Sequence, residues 1–287
     1  MLWSMITLFL IILIVRAYRN TFQLQTNEIS IEIKTSQKEG SLRVLHLSDL
    51  HMENLSISAD HVVQEMKDEP IDLIAITGDL LDREHNIPKA VGYVEQLMKL
   101  QPNLGIYVVF GNHDYVLRPN KLAQLKAELE RIGCRVLVNE TDTVSSPLGK
   151  LHIIGIDDYA TRRSDLTKTY RSVSDDGVRL VLTHDPNVVL QMKSFHYDYL
   201  LSGHFHGGQI HWPKPFHLAK MGKLPRMNIV QGLHFHDDRP FYISEGLGQT
   251  GLNIRLRSRP EMTIHTLHTP AQQIQPQAVE SARTALA

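Results

Sequence analysis

The sequence predicts an α/β protein whose strands deliver chemistry at their carboxyl ends, behind an apolar amino-terminal helix. Apolar runs of strand length alternate with amphipathic helical stretches at a spacing of about thirty residues, the length of one βαβ unit. Five of those runs end directly in polar, metal-competent residues. Leu42 to Leu47 leads to Asp49-Leu50-His51, Ile71 to Ile76 to Gly78-Asp79, and Ile106 to Phe110 to Gly111-Asn112-His113-Asp114. Leu180 to Leu182 leads to Thr183-His184-Asp185, and Tyr197 to Leu201 to Gly203-His204-Phe205-His206. All five motifs should meet at one edge of a sheet.

A chain of 287 residues can bury a full core without covalent staples. The single cysteine, Cys134, excludes an intramolecular disulfide. With 30 Lys plus Arg against 31 Asp plus Glu, the chain has no electrostatic footprint for a long polyanion, which argues against a nucleic-acid partner. Its 16 histidines cluster after apolar runs, a placement that points to metal more than to pH sensing.

Residues 1–20 read as a membrane anchor: Leu2 to Val15 is almost wholly apolar, and Arg16 and Arg19 follow at once. About fifteen apolar residues fall short of the roughly twenty that span a bilayer core, so a tilted or shallow insertion is expected. A cleaved signal peptide is the rival reading, disfavoured because no basic residue precedes the run and no small-x-small site follows it. The arginines on the carboxyl side put the catalytic part on the cytoplasmic face by the positive-inside rule. Residues 21–40 are expected as a linker with a first strand, Ile29 to Ile33, that alternates apolar and polar residues before a turn at Lys38-Glu39-Gly40.

Further along, Ala59, Val62, Val63 and Met66 share one face of a helix over 58–67, ended by Pro70. A second helix over 88–100 starts at Pro88 and turns Val91, Val94, Leu97 and Met98 to one side. A third runs from Asn120 to Ile132 and stops at Gly133. Strands are expected at 135–138 and 150–156; Asp157-Asp158 beyond them read as loop or cap residues. The basic loop Thr161-Arg162-Arg163-Ser164 faces either an anionic substrate or solvent. A short helix is expected over 186–192. Residues 213–240 carry four prolines and read as a basic, apolar, weakly structured insertion. Strands resume over 241–244 and 262–267, and residues 269–287 form a frayed tail. Arg255, Arg257 and Arg259 alternate, so in a strand all three would face one way.

Asp49, His51, Asp79, Asn112, His184, His204 and His206 offer oxygen and nitrogen ligands and no thiolate, a set suited to Mn, Fe, Co or Zn. Seven ligands exceed the needs of one ion. Two divalent ions sharing a carboxylate, with water or hydroxide in the open positions, would use them all and would attract a phosphate oxygen.

These motifs, in this order, resemble the calcineurin-like binuclear metallophosphoesterases, whose pattern is D-x-H, G-D, G-N-H-[DE], an isolated His, then G-H-x-H. The resemblance implies two mixed sheets packed as a sandwich and flanked by helices, over a catalytic domain of residues 41–268. It assigns Asp49, His51, Asp79 and His206 to one ion and Asp79, Asn112, His184 and His204 to the other, with Mn as the expected metal. His113 is implied as the non-ligand histidine that stabilises the transition state or protonates the leaving oxygen, oriented by Asp114. Non-catalytic scaffolds of this fold typically lack that histidine, which is present here.

Gly207-Gly208-Gln209 after the last histidine is similar to membrane-anchored bacterial branches of the family. These include cell-envelope phosphodiesterases and UDP-diacylglucosamine pyrophosphatases of lipid A synthesis. The anchor, together with an insertion from Lys214 to Met227 that mixes cations with large apolar side chains, points to a lipid substrate, with acyl chains against Phe216, Leu218, Met221 and Leu224 and phosphate contacts from Arg162, Arg163, Arg255 or Arg257.

Overall fold

The computed structural model describes residues 2–34, 38–211 and 215–270, without the side chains of Phe216 and His217. The tail beyond residue 270, and Phe216 as an acyl contact, lie outside the described residues.

The chain opens with α1 (Leu2–Asn20), whose mean hydropathy is 1.7 and of which only 6% is buried. Its apolar side chains are exposed from Leu2 to Val15, while Ala17 and Asn20 are buried against the rest of the protein. β1 (Gln25–Glu32) follows, then β2 (Ser41–Leu47), α2 (Ala59–Met66), β3 (Leu73–Thr77), α3 (Ile87–Leu97), β4 (Ile106–Val109), α4 (Pro119–Arg131) and β5 (Arg135–Val136). The second half begins with the hairpin of β6 (Glu140–Ser146) and β7 (Gly149–Gly155), followed by α5 (Leu166–Thr169), β8 (Val178–Leu182) and β9 (Tyr199–Ser202). It ends with α6 (Lys223–Arg226), β10 (Gly232–His236), β11 (Arg239–Ile243) and β12 (Glu261–His268).

Two mixed six-stranded sheets result, ordered β1-β12-β2-β3-β4-β5 and β10-β11-β9-β8-β7-β6. β2 to β5 run parallel, and β12 returns antiparallel beside β2. In the second sheet β7, β8, β9 and β11 are parallel and the antiparallel strands β6 and β10 close its edges. Because strand side chains alternate, one set from each sheet meets its counterpart: Val44, Leu73 and Tyr107 pack with Leu151, Leu180 and Tyr199. The opposite set of the first sheet, Leu45, Ile74 and Val108, packs under α2, α3 and α4. That double burial explains the near-continuous apolar runs of the central strands.

Several expectations require correction. β6 was not anticipated because Glu-Thr-Asp-Thr-Val-Ser-Ser lacks apolar alternation; it forms by pairing with β7 at a sheet edge, where one face stays wet. Residues 186–191 form a 3-10 turn in place of a helix, with Asp185 capping it through Asn187 N. The stretch expected to be weakly structured contains a 3-10 turn, α6, β10 and the start of β11. No strand forms over 253–259; its one ladder contact is the bridge between Ile210 and Leu256, so the three arginines do not share a face.

Candidate metal centre

The motifs leave their strands through tight, left-handed turns. Asp49, His51, Asp79, His204 and His206 all have positive φ, between 39° and 77°. Such backbone costs energy for non-glycine residues and persists where the surroundings enforce it, commonly at functional sites. Space is equally tight. A Cβ on Gly111 would collide with the Asp79 carboxylate, and one on Gly203 with the side chains of Ser48 and Asp49.

These turns bring together two buried ligand groups, Asp49-His51-His206 and Asp79-His184-His204, each with its donor atoms within 4.8 Å of one another. Asp79 lies between them: its Oδ2 is 3.0 Å from His184 Nε2 and 3.5 Å from His51 Nε2. His206 Nε2 is 3.3 Å from Asp49 Oδ1. Neighbouring groups orient Asp49, Asp79 and His184. Ser48 Oγ donates to Asp49 Oδ2 at 2.6 Å, His113 N to Asp79 Oδ1 at 2.8 Å, and His204 N to Asp49 at 3.1 Å. His184 Nδ1 lies 2.8 Å from the Thr77 carbonyl, which can only accept, so the proton is on Nδ1 and Nε2 faces the centre.

Among the buried atoms with no hydrogen-bond partner in the described residues, four lie in this site: His51 Nε2, both ring nitrogens of His206 and the Asn112 Oδ1. Unpartnered buried polar atoms of this kind are costly unless something else satisfies them. Oxygen and imidazole nitrogen converging around a shared carboxylate fit two divalent ions, and all seven sequence-selected ligands line this region. The field agrees. Burial opposes charge on Asp79, yet His184 and His51 outweigh it and hold the carboxyl well below its usual range. Burial likewise opposes a proton on His184, and Asp79 overrides it, raising that pKa well above the ordinary value. Burial and the neighbouring imidazoles hold His204 and His206 below their ordinary values, so the site offers an ionised carboxylate beside neutral imidazoles, a donor set for divalent cations.

Beside the centre, His113 Nδ1 is 3.0 Å from Asp82 Oδ1, and the same oxygen is 3.1 Å from His51 Nδ1. The Asp82 bond raises the His113 pKa to about 9, against partial burial and with help from Asp79. Asp82 was missed in the sequence, although it stands on the same turn as Asp79, in Gly78-Asp79-Leu80-Leu81-Asp82. Asp114 has a different task from the one expected. Its Oδ1 accepts from Leu80 N and Leu81 N at 2.8 and 3.2 Å, and its Oδ2 accepts from Gly111 N at 2.9 Å. It therefore clasps the Asp79 turn to the Asn112 turn and leaves His113 to Asp82.

Among the candidate substrate residues, Arg255 is fully buried and is corrected to a structural role. Its guanidinium donates to the carbonyls of Glu245, Gly246, Gly248 and Arg259 and to Ser258 Oγ. Leu224 is also corrected: it is 2% exposed and packs with Val188 and Val189 in the core behind the second sheet. Arg163 stacks over Tyr115 at 4.0 Å in a separate groove beside Asp157, and Arg257 is exposed away from the cleft. Only Arg162 lines the cleft over the centre. That cleft has two lobes, of about 660 and 850 Å³, which meet at Asn112, His204, Lys220 and Met221.

The family model described as calcineurin-like phosphoesterase matches residues 42–208. The chain is 57% identical over 257 residues to a Bacillus subtilis protein named as the uncharacterized metallophosphoesterase YkoQ, covering 88% of this chain and 93% of that one. It is 29% identical to the uncharacterized metallophosphoesterase YkuE of the same organism, over 78% of each chain. It is 28% identical to the phosphodiesterase YaeI of Escherichia coli, over 77% of this chain and 80% of that one.

Proposed function

Because the chain belongs to the calcineurin-like phosphoesterases, hydrolases of phosphoester bonds, we propose that it cleaves a phosphodiester or phosphoanhydride of an amphiphile at a membrane surface. The observation that carries this reading is a shared segment. Thr250 and Leu252 form a wall of the smaller lobe, held by Gln209 Nε2, which donates to both their carbonyls at 3.0 Å. A few residues on, Arg255 N donates to Ala17 O at 2.9 Å and Asn20 Nδ2 donates to Arg255 O at 2.8 Å. The rim at Leu252, 69% exposed, is thus within roughly 11 Å of the point where α1 meets the domain.

In this reading α1 is the anchor, and Arg16 and Arg19 keep the domain on the cytoplasmic face. Tyr18 and Phe22, both exposed and packed edge to face at 5.3 Å, sit where an interfacial aromatic belt would be. Asp49, His51, Asp79 and His206 would hold one divalent ion and Asp79, Asn112, His184 and His204 the other. Two such ions, Mn first and Fe, Co or Zn as alternatives, supply Lewis acidity toward the phosphoryl oxygens. His113 faces the same cleft. With Nδ1 held by Asp82, its Nε2 is the nitrogen that gives a proton to the leaving oxygen.

UDP-diacylglucosamine and a phospholipid diester are both amphiphiles of this class. The test assays metal-loaded, detergent-solubilised protein on a soluble aryl diester, an aryl monoester, micellar UDP-diacylglucosamine and a micellar phospholipid, with metal content measured on the same sample. Turnover of the diester and of one micellar substrate is expected; hydrolysis of the monoester alone would overturn the reading.

A further inference from the structure

The two lobes of the cleft share Asn112, His204, Lys220 and Met221 and differ in what each adds to them. The smaller lobe adds Phe205, Ile210, Leu218 and Leu252 on the side away from the metal-centre residues Asp79, His113 and His206. The larger lobe adds Arg162 and Lys223, with Lys220 at the junction of the two, and none of the three forms an ion pair with a carboxylate among the described residues. Asp185 is the acidic residue in that lining, and it is engaged elsewhere: Oδ1 accepts from Asn187 N at 2.9 Å and from Asn187 Nδ2 at 2.7 Å.

The lysines are held in place by the catalytic sheet. Asn187, buried just beyond the His184 turn, donates to Met221 O at 2.9 Å and accepts from Leu224 N at 3.1 Å. Gly222, at φ 130°, lies so close to the Asn187 amide that a Cβ there would collide with it. The turn carrying Lys220 and Lys223 is therefore pinned to the element that carries His184. Arg162, at φ 61°, projects from the turn that Asp158 Oδ2 caps through Thr161 N at 2.7 Å. The cations stand on fixed turns on the walls of one concavity that ends at Asn112 and His204.

We infer that the larger lobe is a subsite for a second phosphate on the substrate, held by Arg162, Lys220 and Lys223 while the scissile phosphate lies at the metal centre and the apolar arm fills the smaller lobe. A divided cleft of this kind selects a molecule with one anionic and one apolar arm. This subsite rests on the two-armed substrate proposed above, but it does not depend on the membrane.

The experiment compares two soluble esters: the p-nitrophenyl ester of a nucleoside monophosphate, and the same ester carrying an additional phosphate on the ribose. Wild type should favour the second by kcat/KM, and the preference should shrink in high salt because exposed charges are screened. Arg162→Gln and Lys223→Met, both at exposed positions, should each lower the ratio of the two kcat/KM values roughly threefold, and about tenfold together, as exposed charge pairs do. A wild-type ratio near one, or a ratio unchanged in the double variant, overturns the subsite. If neither ester is turned over, the proposed two-armed substrate fails. The subsite is then judged by equilibrium binding of inorganic pyrophosphate against orthophosphate. Selective weakening of pyrophosphate in the double variant supports it, and equal affinity in both proteins overturns it.

Discussion

His113 and Asp114 are neighbours in sequence with separate work, and the difference can be measured. Asp82 supports the imidazole through Nδ1, whereas all three hydrogen bonds to the Asp114 carboxylate come from backbone N–H groups. In Asp82→Asn the bond can persist but the charge that holds the His113 proton is lost, so its pKa falls from about 9 toward the ordinary value. A histidine that must be protonated to act then fails at lower pH. The alkaline limb of the rate profile should move downward, with turnover near pH 8 reduced about 10-fold to 100-fold at saturating metal. An unmoved limb would remove Asp82 from the mechanism. Asp114→Asn should instead lower stability by about 1–3 kcal/mol, since an amide N–H would face a backbone N–H; chemical denaturation reads this directly. The convergence of the seven candidate ligands on one site was legible because each motif directly follows an apolar strand. Asp82 was not, because its reach to His113 depends on how two turns from different strands lie against each other.

Among the elements, the segment from Glu245 to β12 departs furthest from its sequence pattern. Alternating arginines resembled a strand face, but Arg255 turns inward and gathers carbonyls. The loop it gathers supports the centre: Leu247 N donates to Ser48 O, Gly248 N to Asp49 O, and Ser258 Oγ to His206 O. No local periodicity encodes a residue satisfied by distant backbone, which is why this role was illegible. Arg255→Met leaves those carbonyls unpaired and should cost at least about 3 kcal/mol together with weaker metal retention. A loss under about 1 kcal/mol with full metal retention would contradict the assignment. In β12 itself, burial and repulsion from Glu245 push the Glu261 carboxyl up to about 7, against the hydrogen bonds that it accepts from Thr263 and Tyr242. The folded state therefore binds this proton more tightly than the unfolded chain does. The stabilisation is fully present below the ordinary glutamate value of about 4.3 and is lost as pH rises through about 7, an effect of roughly 3 kcal/mol. Glu261→Gln should flatten the thermal stability profile between about pH 5 and pH 8; a variant as pH-sensitive as wild type would refute it.

Across the whole molecule, the two sheets place their strand ends over one centre, and the repeat of apolar run and polar motif made that arrangement legible. What the pattern did not reveal is that α1 is part of the fold at its carboxyl end. Ala17 and Asn20 are buried, Ala17 O and the Asn20 side chain bond to the Arg255 backbone, and Thr21 Oγ1 lies 2.9 Å from Ser56 Oγ. The helix thus divides into an exposed apolar part and a docked last turn, and two truncations should separate them. Removing residues 2–15 takes away the exposed apolar surface only. That protein should leave the membrane fraction, keep its denaturation midpoint, and hydrolyse a soluble aryl diester as the full chain does. Removing residues 2–21 also strips Arg255 N and O of their partners, two buried backbone groups that together cost about 2 kcal/mol or more when left unpaired. This longer truncation should unfold at lower denaturant and, through the Arg255 loop beneath Asp49 and the Ser258 bond to His206, retain less metal. Equal stability of the two truncations would make the docked turn a passive end of α1. Full retention in the membrane fraction after removal of residues 2–15 would show that another surface holds the protein there.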